Sequence, residues 1–143
     1  MAPPQYRVRD PGNAACTAGH IVLVERRARP ILIVDDDKEI LAVERAVLTD
    51  DGFMVREAHN GAEALVALET DPPAMIVLDV QMPGIDGPTF ARELRTRLRH
   101  VPLVILTAAA DPKHEADRCN AEAYLAKPFQ AAELLKLVRR FSS

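Results

Sequence analysis

The chain has 143 residues, 48% of them hydrophobic and 27% charged, with a formal net charge of −3. That length supports one domain with a real core and is short for two. The negative balance argues against nucleic acid, where a basic patch supplies most of the affinity, and no apolar run approaches the ~20 residues of a membrane span.

Residues 1–28 are rich in Pro, Gly, Ala and polar residues and are expected to form a poorly ordered extension, with "IVLVERR" (21–27) as at most a brief edge strand. No long apolar h-region marks a signal peptide there. Cys16 and Cys119 are too far apart for a zinc knuckle or a disulfide framework, which suggests a reducing, cytoplasmic setting. His20, His59, His100 and His114 are scattered, with no pair at ligand spacing.

From residue 29 onward, strand and helix signals alternate. "ILIV" (31–34) is a continuous apolar run, the mark of a strand buried on both faces. Asp37 is placed to cap a following helix, in which Ile40, Val43, Val47 and Leu48 recur at helical spacing, and Gly52 stops it. "FMVREA" (53–58) is a weaker strand. Asn60 or Gly61 opens a helix with Ala64, Leu65 and Leu68 inward. After the Pro72-Pro73 break come a third strand, "MIVL" (75–78), and a helix with Pro88 in its first turn and Phe90, Leu94 and Leu98 inward. "LVIL" (103–106) and "AYLA" (123–126) are the last strands. Between them Asp111 caps, Pro112 starts and Asn120 ends a two-turn helix. Ala131 to Phe141 closes the chain as a helix with Leu134, Leu135 and Val138 inward. Five strands alternating with five helices predict an α/β fold: a doubly wound, five-stranded parallel sheet in the order 2-1-3-4-5, flavodoxin-like, over residues 29–143.

In such a sheet, ligands bind at the carboxyl ends of the strands. Asp35 and Asp36 follow the first strand, Asp79 the third, Thr107 the fourth and Lys127 the fifth. Three carboxylates converging on one edge repel one another unless a cation joins them. With oxygen donors and no thiolate or histidine, that cation is expected to be Mg²⁺ or Mn²⁺. The loop "DVQMPGIDG" adds a Pro83-Gly84 pair suited to a type II turn, which curls backbone toward Asp79. "KPF" places Lys127 before a proline, where a cis bond is permitted. Arg92, Arg95 and Arg99 share a face of the third helix, read as a solvated surface.

Taken together, "ILIVDDD", "IVLDVQMPGIDG", "VILTA" and "AYLAKPF" resemble the signature segments of the receiver domain of bacterial two-component response regulators, in the same order and over roughly residues 30 to 142. The resemblance implies that Asp79 is the phosphoacceptor, that Asp36 binds Mg²⁺ directly and Asp35 through water, and that the Gln81 carbonyl completes the metal site. It further implies that Thr107 and Lys127 hold the phosphoryl group, and that Tyr124 switches rotamer together with Thr107. Asn120 stands where the family has Gly, and Asn is the next-best residue in a left-handed turn. The stretch from Thr107 to Lys127 is a little shorter than usual, which bears on the output surface.

The implied function is a stand-alone phosphoacceptor, not a turnover enzyme. It takes phosphate from a sensor histidine kinase or a histidine phosphotransfer protein and signals to a downstream protein target, with no direct role for nucleic acid or membrane. Two rivals stand beside it. One is an Mg²⁺-dependent aspartyl-phosphate hydrolase of the haloacid dehalogenase type, which wants an Asp-x-Asp pair after the first strand. The other is a degenerate receiver that acts only as an interaction module.

Overall fold

The computed structural model describes residues 29–82, 84–98 and 100–142. The expected extension at 1–28 and its short strand lie outside the described residues, as do Pro83 and Arg99. In chain order the elements are β1 (Ile31–Val34), α1 (Lys38–Asp50), β2 (Val55–Ala58), α2 (Gly61–Thr70), β3 (Met75–Asp79), α3 (Gly87–Arg97), β4 (Leu103–Thr107), α4 (Pro112–Arg118), β5 (Ala123–Ala126) and α5 (Ala131–Phe141). The strands form one sheet in the order β2-β1-β3-β4-β5, every pair parallel, as the alternation of elements predicted.

Strand alternation divides the core in two. Leu32, Val34, Ile76, Leu78, Leu103 and Ile105 face α2, α3 and α4, packing on Leu68, Phe90, Leu94 and Cys119. Ile31, Ile33, Met75, Val77, Val104 and Leu106 face α1 and α5, packing on Leu41, Leu48, Leu134 and Val138. With both faces covered, β1, β3 and β4 are apolar from end to end save for Asp79 and Thr107 at the last position. Each fully buried Leu or Ile contributes roughly 1.5–3 kcal/mol.

The helix boundaries follow from side-chain caps. Asp37 Oδ1 accepts from Glu39 N–H at 2.9 Å and Ile40 N–H at 3.3 Å, Asn60 Oδ1 accepts from Glu63 N–H at 2.8 Å, and Asp111 Oδ1 accepts from His114 N–H at 3.1 Å. Asp86 caps α3 by accepting from Thr89 N–H at 2.7 Å, a role that the sequence reading left out. Gly52 (φ +93°) ends α1, and Asn120 (φ +50°) takes the left-handed conformation expected for the turn before β5.

Three expectations need correction. The second strand begins at Val55, not Phe53, because it is an edge strand and Met54 is more than half exposed. The buried stripe of α1 is Leu41, Glu44 and Leu48. Ile40 and Val47 are only partly covered and Val43 is 62% exposed. Arg95 is not part of a solvated face. It donates to the Val101 carbonyl at 2.8 Å, the Asn120 carbonyl at 3.3 Å and Glu122 Oε1 at 3.1 Å. Glu122 Oε1 also accepts from Leu103 N–H at 2.7 Å, so the pair pins the end of α3 to the starts of β4 and β5.

Candidate functional site

The parallel sheet carries all the expected polar residues to one edge. Asp79 is the last residue of the central strand β3. Asp35 lies one residue beyond β1, Thr107 ends β4, and Lys127 lies one residue beyond β5. Asp35, Asp79 and Lys127 continue the alternation of Ile33, Val77 and Leu125, which places them on the α1/α5 side. Thr107 continues Ile105 and faces the α3/α4 side, where Tyr124 is partly buried. The pocket therefore straddles the rim of the sheet.

Lys127 is held at the centre of this charge. Its Nζ lies 3.3 Å from Asp79 Oδ1 and 3.8 Å from Asp35 Oδ2. Its backbone N–H donates to the Thr107 carbonyl at 2.8 Å, and the Lys127–Pro128 bond is cis. Asp79 is only 4% exposed, and its Oδ1 also accepts from Gln81 N–H at 3.0 Å. Asp35 is fully buried, and its Oδ1 accepts from Asp37 N–H at 2.9 Å. Burial pushes the Asp35 carboxyl up to about 6, with the neighbouring Asp79 charge adding to the rise, while the Asp37 N–H and Lys127 oppose it. Asp36 is exposed at the mouth.

One oxygen from each of Asp35, Asp36 and Asp79 lies within 4.8 Å of the others. Asp35 Oδ2 has no hydrogen-bond partner. A buried carboxylate oxygen left without a donor, in a set of hard oxygen ligands, fits a small divalent cation such as Mg²⁺.

Two features went unread in the sequence. Glu44, on the inner face of α1, is 1% exposed, and its Oε2 has no hydrogen-bond partner. Burial pushes its carboxyl up to about 8, with Asp35 adding to the rise. A run of apolar residues at helical spacing hides a buried glutamate; only anchoring the helix phase on Leu41 and Leu48 would have exposed it. The second feature is the side chain of Gln81, whose Oε1 accepts from Ala108 N–H at 2.9 Å across the mouth of the pocket. The family resemblance pointed only to its carbonyl. Gly84 has φ +95°, the left-handed value that a type II turn asks of its third residue.

Comparison with known proteins matches this geometry. The family model described as "Response regulator receiver domain" covers residues 31–139. Response regulator MprA of Mycobacterium tuberculosis is 40% identical over 111 residues, which is 76% of this chain and 48% of that protein. MprA of Mycobacterium ulcerans matches equally. The chain thus spans about half the length of the curated relatives it matches. Among solved structures, the receiver domain of the sensor histidine kinase PA1611 from Pseudomonas aeruginosa, with a magnesium ion coordinated in its active-site cleft, superposes with a TM-score of 0.72 at 31% identity, covering 80% of this chain and 98% of that one. A putative response regulator from Chloroflexus aurantiacus gives a TM-score of 0.74 at 35% identity, covering 80% and 97%. With the family model matching residues 31–139, and with two buried carboxylates, a third at the mouth, a lysine and a hydroxyl gathered on one sheet edge, this protein belongs to the response regulator receiver domain family.

Proposed function

We propose that this chain is a phosphoacceptor. It takes a phosphoryl group from a sensor histidine kinase or a histidine phosphotransfer protein onto Asp79 and passes the signal on by contact with a downstream protein. The observation that carries this reading is the Asp79 carboxylate at the end of the central strand, with the Lys127 ammonium 3.3 Å away and Thr107 ending the neighbouring strand.

A carboxylate oxygen of Asp79 attacks the phosphorus of a phosphohistidine. The new O–P bond forms as the P–N bond breaks, and the leaving imidazole keeps the electron pair and takes a proton. The phosphoryl oxygens carry charge that needs donors. Lys127 supplies an ammonium, and Thr107 supplies a hydroxyl whose oxygen already accepts from Ala109 N–H at 3.0 Å, leaving its hydrogen to give. Asp35, Asp36, Asp79 and the Gln81 carbonyl would hold Mg²⁺ (or Mn²⁺). When bound, that ion offsets the carboxylate charge and polarises the phosphoryl oxygens. Water later cleaves the acyl phosphate, so the domain assists its own phosphorylation and dephosphorylation and turns over no other substrate.

The hydrolase reading needs a second free carboxylate two residues after the first. Asp37 occupies that position and is engaged in capping α1. The degenerate-receiver reading has to explain why every polar group of the pocket is present. No described helix is long and apolar enough to cross a membrane, and a cytoplasmic setting beside the kinase's catalytic core follows from the proposed chemistry.

The test is intact mass after incubation with acetyl phosphate and Mg²⁺. The parent should gain one phosphoryl group and Asp79→Asn none. An adduct that persists in Asp79→Asn would overturn the assignment. Absence of an adduct in the parent would favour the interaction-module reading.

A further inference from the structure

Two backbone N–H groups follow Thr107, and both are engaged by side-chain oxygens. Ala108 N–H donates to Gln81 Oε1 at 2.9 Å, and Ala109 N–H donates to Thr107 Oγ1 at 3.0 Å. Gln81 also donates its own N–H to Asp79 Oδ1 at 3.0 Å. One residue therefore spans from the reactive carboxylate on β3 to the loop that leaves β4. The donors around the pocket differ in readiness. The Lys127 ammonium has three hydrogens and the Thr107 hydroxyl keeps its own, whereas Ala108 has a single N–H and Gln81 already holds it.

A phosphoryl group on Asp79 brings three charged oxygens to this rim. A charged oxygen binds an N–H about twice as strongly as a neutral amide oxygen does. We propose that Gln81 is a positioning residue: its carboxamide latches the β4–α4 loop in the phosphate-free arrangement, and phosphoryl capture requires Ala108 N–H to exchange Gln81 Oε1 for a phosphoryl oxygen. This rests on the phosphoacceptor reading above. The latch adds no covalent step; it exchanges one hydrogen bond for another. It stabilises only the phosphate-free state, and such a differential contact is what shifts a two-state equilibrium. The expected contribution of the Gln81 carbonyl to metal binding is a backbone property, so it is retained whatever side chain stands at the position.

The test compares the full chain with Gln81→Ala, Gln81→Met and Gln81→Glu. Two quantities are read: the rate of adduct formation from acetyl phosphate by intact mass, and the exchange rate of the Ala108 amide by NMR without a phosphodonor. Met keeps the bulk of Gln and removes the acceptor, whereas Glu keeps an acceptor and charges it. Gln81→Ala and Gln81→Met should both take up phosphate roughly three- to ten-fold faster, the size of one neutral hydrogen bond lost from the resting state, and Ala108 should exchange faster by a similar factor. Gln81→Glu should protect Ala108 at least as well as the parent and take up phosphate more slowly. The variants then sort by the acceptor and not by size, which a purely structural role would not produce. If the parent forms its adduct but Gln81→Ala and Gln81→Met match it in uptake or in Ala108 exchange, the latch is overturned and the phosphoacceptor reading stands. If the parent forms no adduct, both fall.

Discussion

Glu44 occupies a position in the α1 stripe that an amphipathic helix ordinarily gives to leucine, flanked by Leu41 and Leu48 against the sheet. Its carboxyl, raised by burial to about 8 from an unfolded value near 4.5, binds a proton more tightly in the folded protein than in the unfolded chain. The stability linked to that proton is complete below about pH 4.5 and is lost as pH rises to 8. A shift of this size corresponds to a loss on the order of 4 kcal/mol across the window. Glu44→Leu removes the titration and completes the apolar stripe. Urea melts of the metal-free protein at pH 5, 6.5 and 8 should show the variant gaining on the parent as pH rises. A stability difference that stays constant over those three points would mean that Glu44 is ionised throughout. The residue was invisible to sequence reading for a physical reason. Counting apolar residues turns the helix so that Val43 points inward, but the helix phase is set by the Asp37 cap and by Leu41 and Leu48, and these turn Glu44 in and Val43 out.

Among the elements, α4 has seven residues, and its own hydrogen bonds hold it weakly. Its buried residue is Ala116, and Cys119 just beyond its end is fully buried and lies against Gly87 at the start of α3. A Cβ placed on Gly87 would stand 2.8 Å from Cys119 Sγ and 3.1 Å from Val80 Cγ1, so only glycine allows this approach. Gly87→Ala should cost roughly 1–3 kcal/mol by overpacking. Cys119→Ala alone should also destabilise, by leaving a void. Because the two changes meet at one contact, the double variant should be more stable than the sum of the single losses predicts. Simple additivity in denaturant melts would show that the contact is slack. Element order, strand burial and most caps were legible in the sequence, because local chemistry decides them: continuous apolar runs, Asp, Asn and Pro at helix starts, Gly52 at a helix end. The Gly87–Cys119 contact and the Arg95–Glu122 clamp join residues 32 and 27 apart, and no local pattern announces such pairings.

At the scale of the whole molecule, stability and site are linked through charge. The carboxylate trio with its orphaned Asp35 oxygen repels itself in the metal-free protein, and Lys127 offsets only part of this. Any ion that binds the folded state and not the unfolded chain stabilises the fold by mass action, about 2.7 kcal/mol at a hundredfold excess over its Kd. Mg²⁺ should therefore raise the melting temperature by several degrees, and a chelator should reverse the gain. In Asp36→Ala the Mg²⁺-dependent gain should shrink strongly, because an exposed carboxylate proposed to hold the ion is lost while the core is untouched. An equal gain in parent and variant would remove Asp36 from the metal site. The convergence of the site could be read from strand order alone, since a parallel sheet sends the end of every strand to one edge. The distances within it depend on packing, which is why the lysine shared by two carboxylates and the Gln81 span emerged only in three dimensions.

The sheet carries its charged cluster and the residues expected to switch on opposite sides. Asp35, Asp79, Lys127 and the buried Glu44 stand over the α1/α5 core, whereas Thr107, Tyr124 and the Cys119 contact belong to the other core. The sheet stands as a bulkhead between the two groups, which meet over its rim, where Gln81 spans from Asp79 to Ala108. On the phosphoacceptor reading, changes in the first compartment would retune the carboxylate and lysine chemistry, and changes in the second would alter what the loop after β4 presents. Changes at residues that cross the rim, as Gln81 does, would alter both at once.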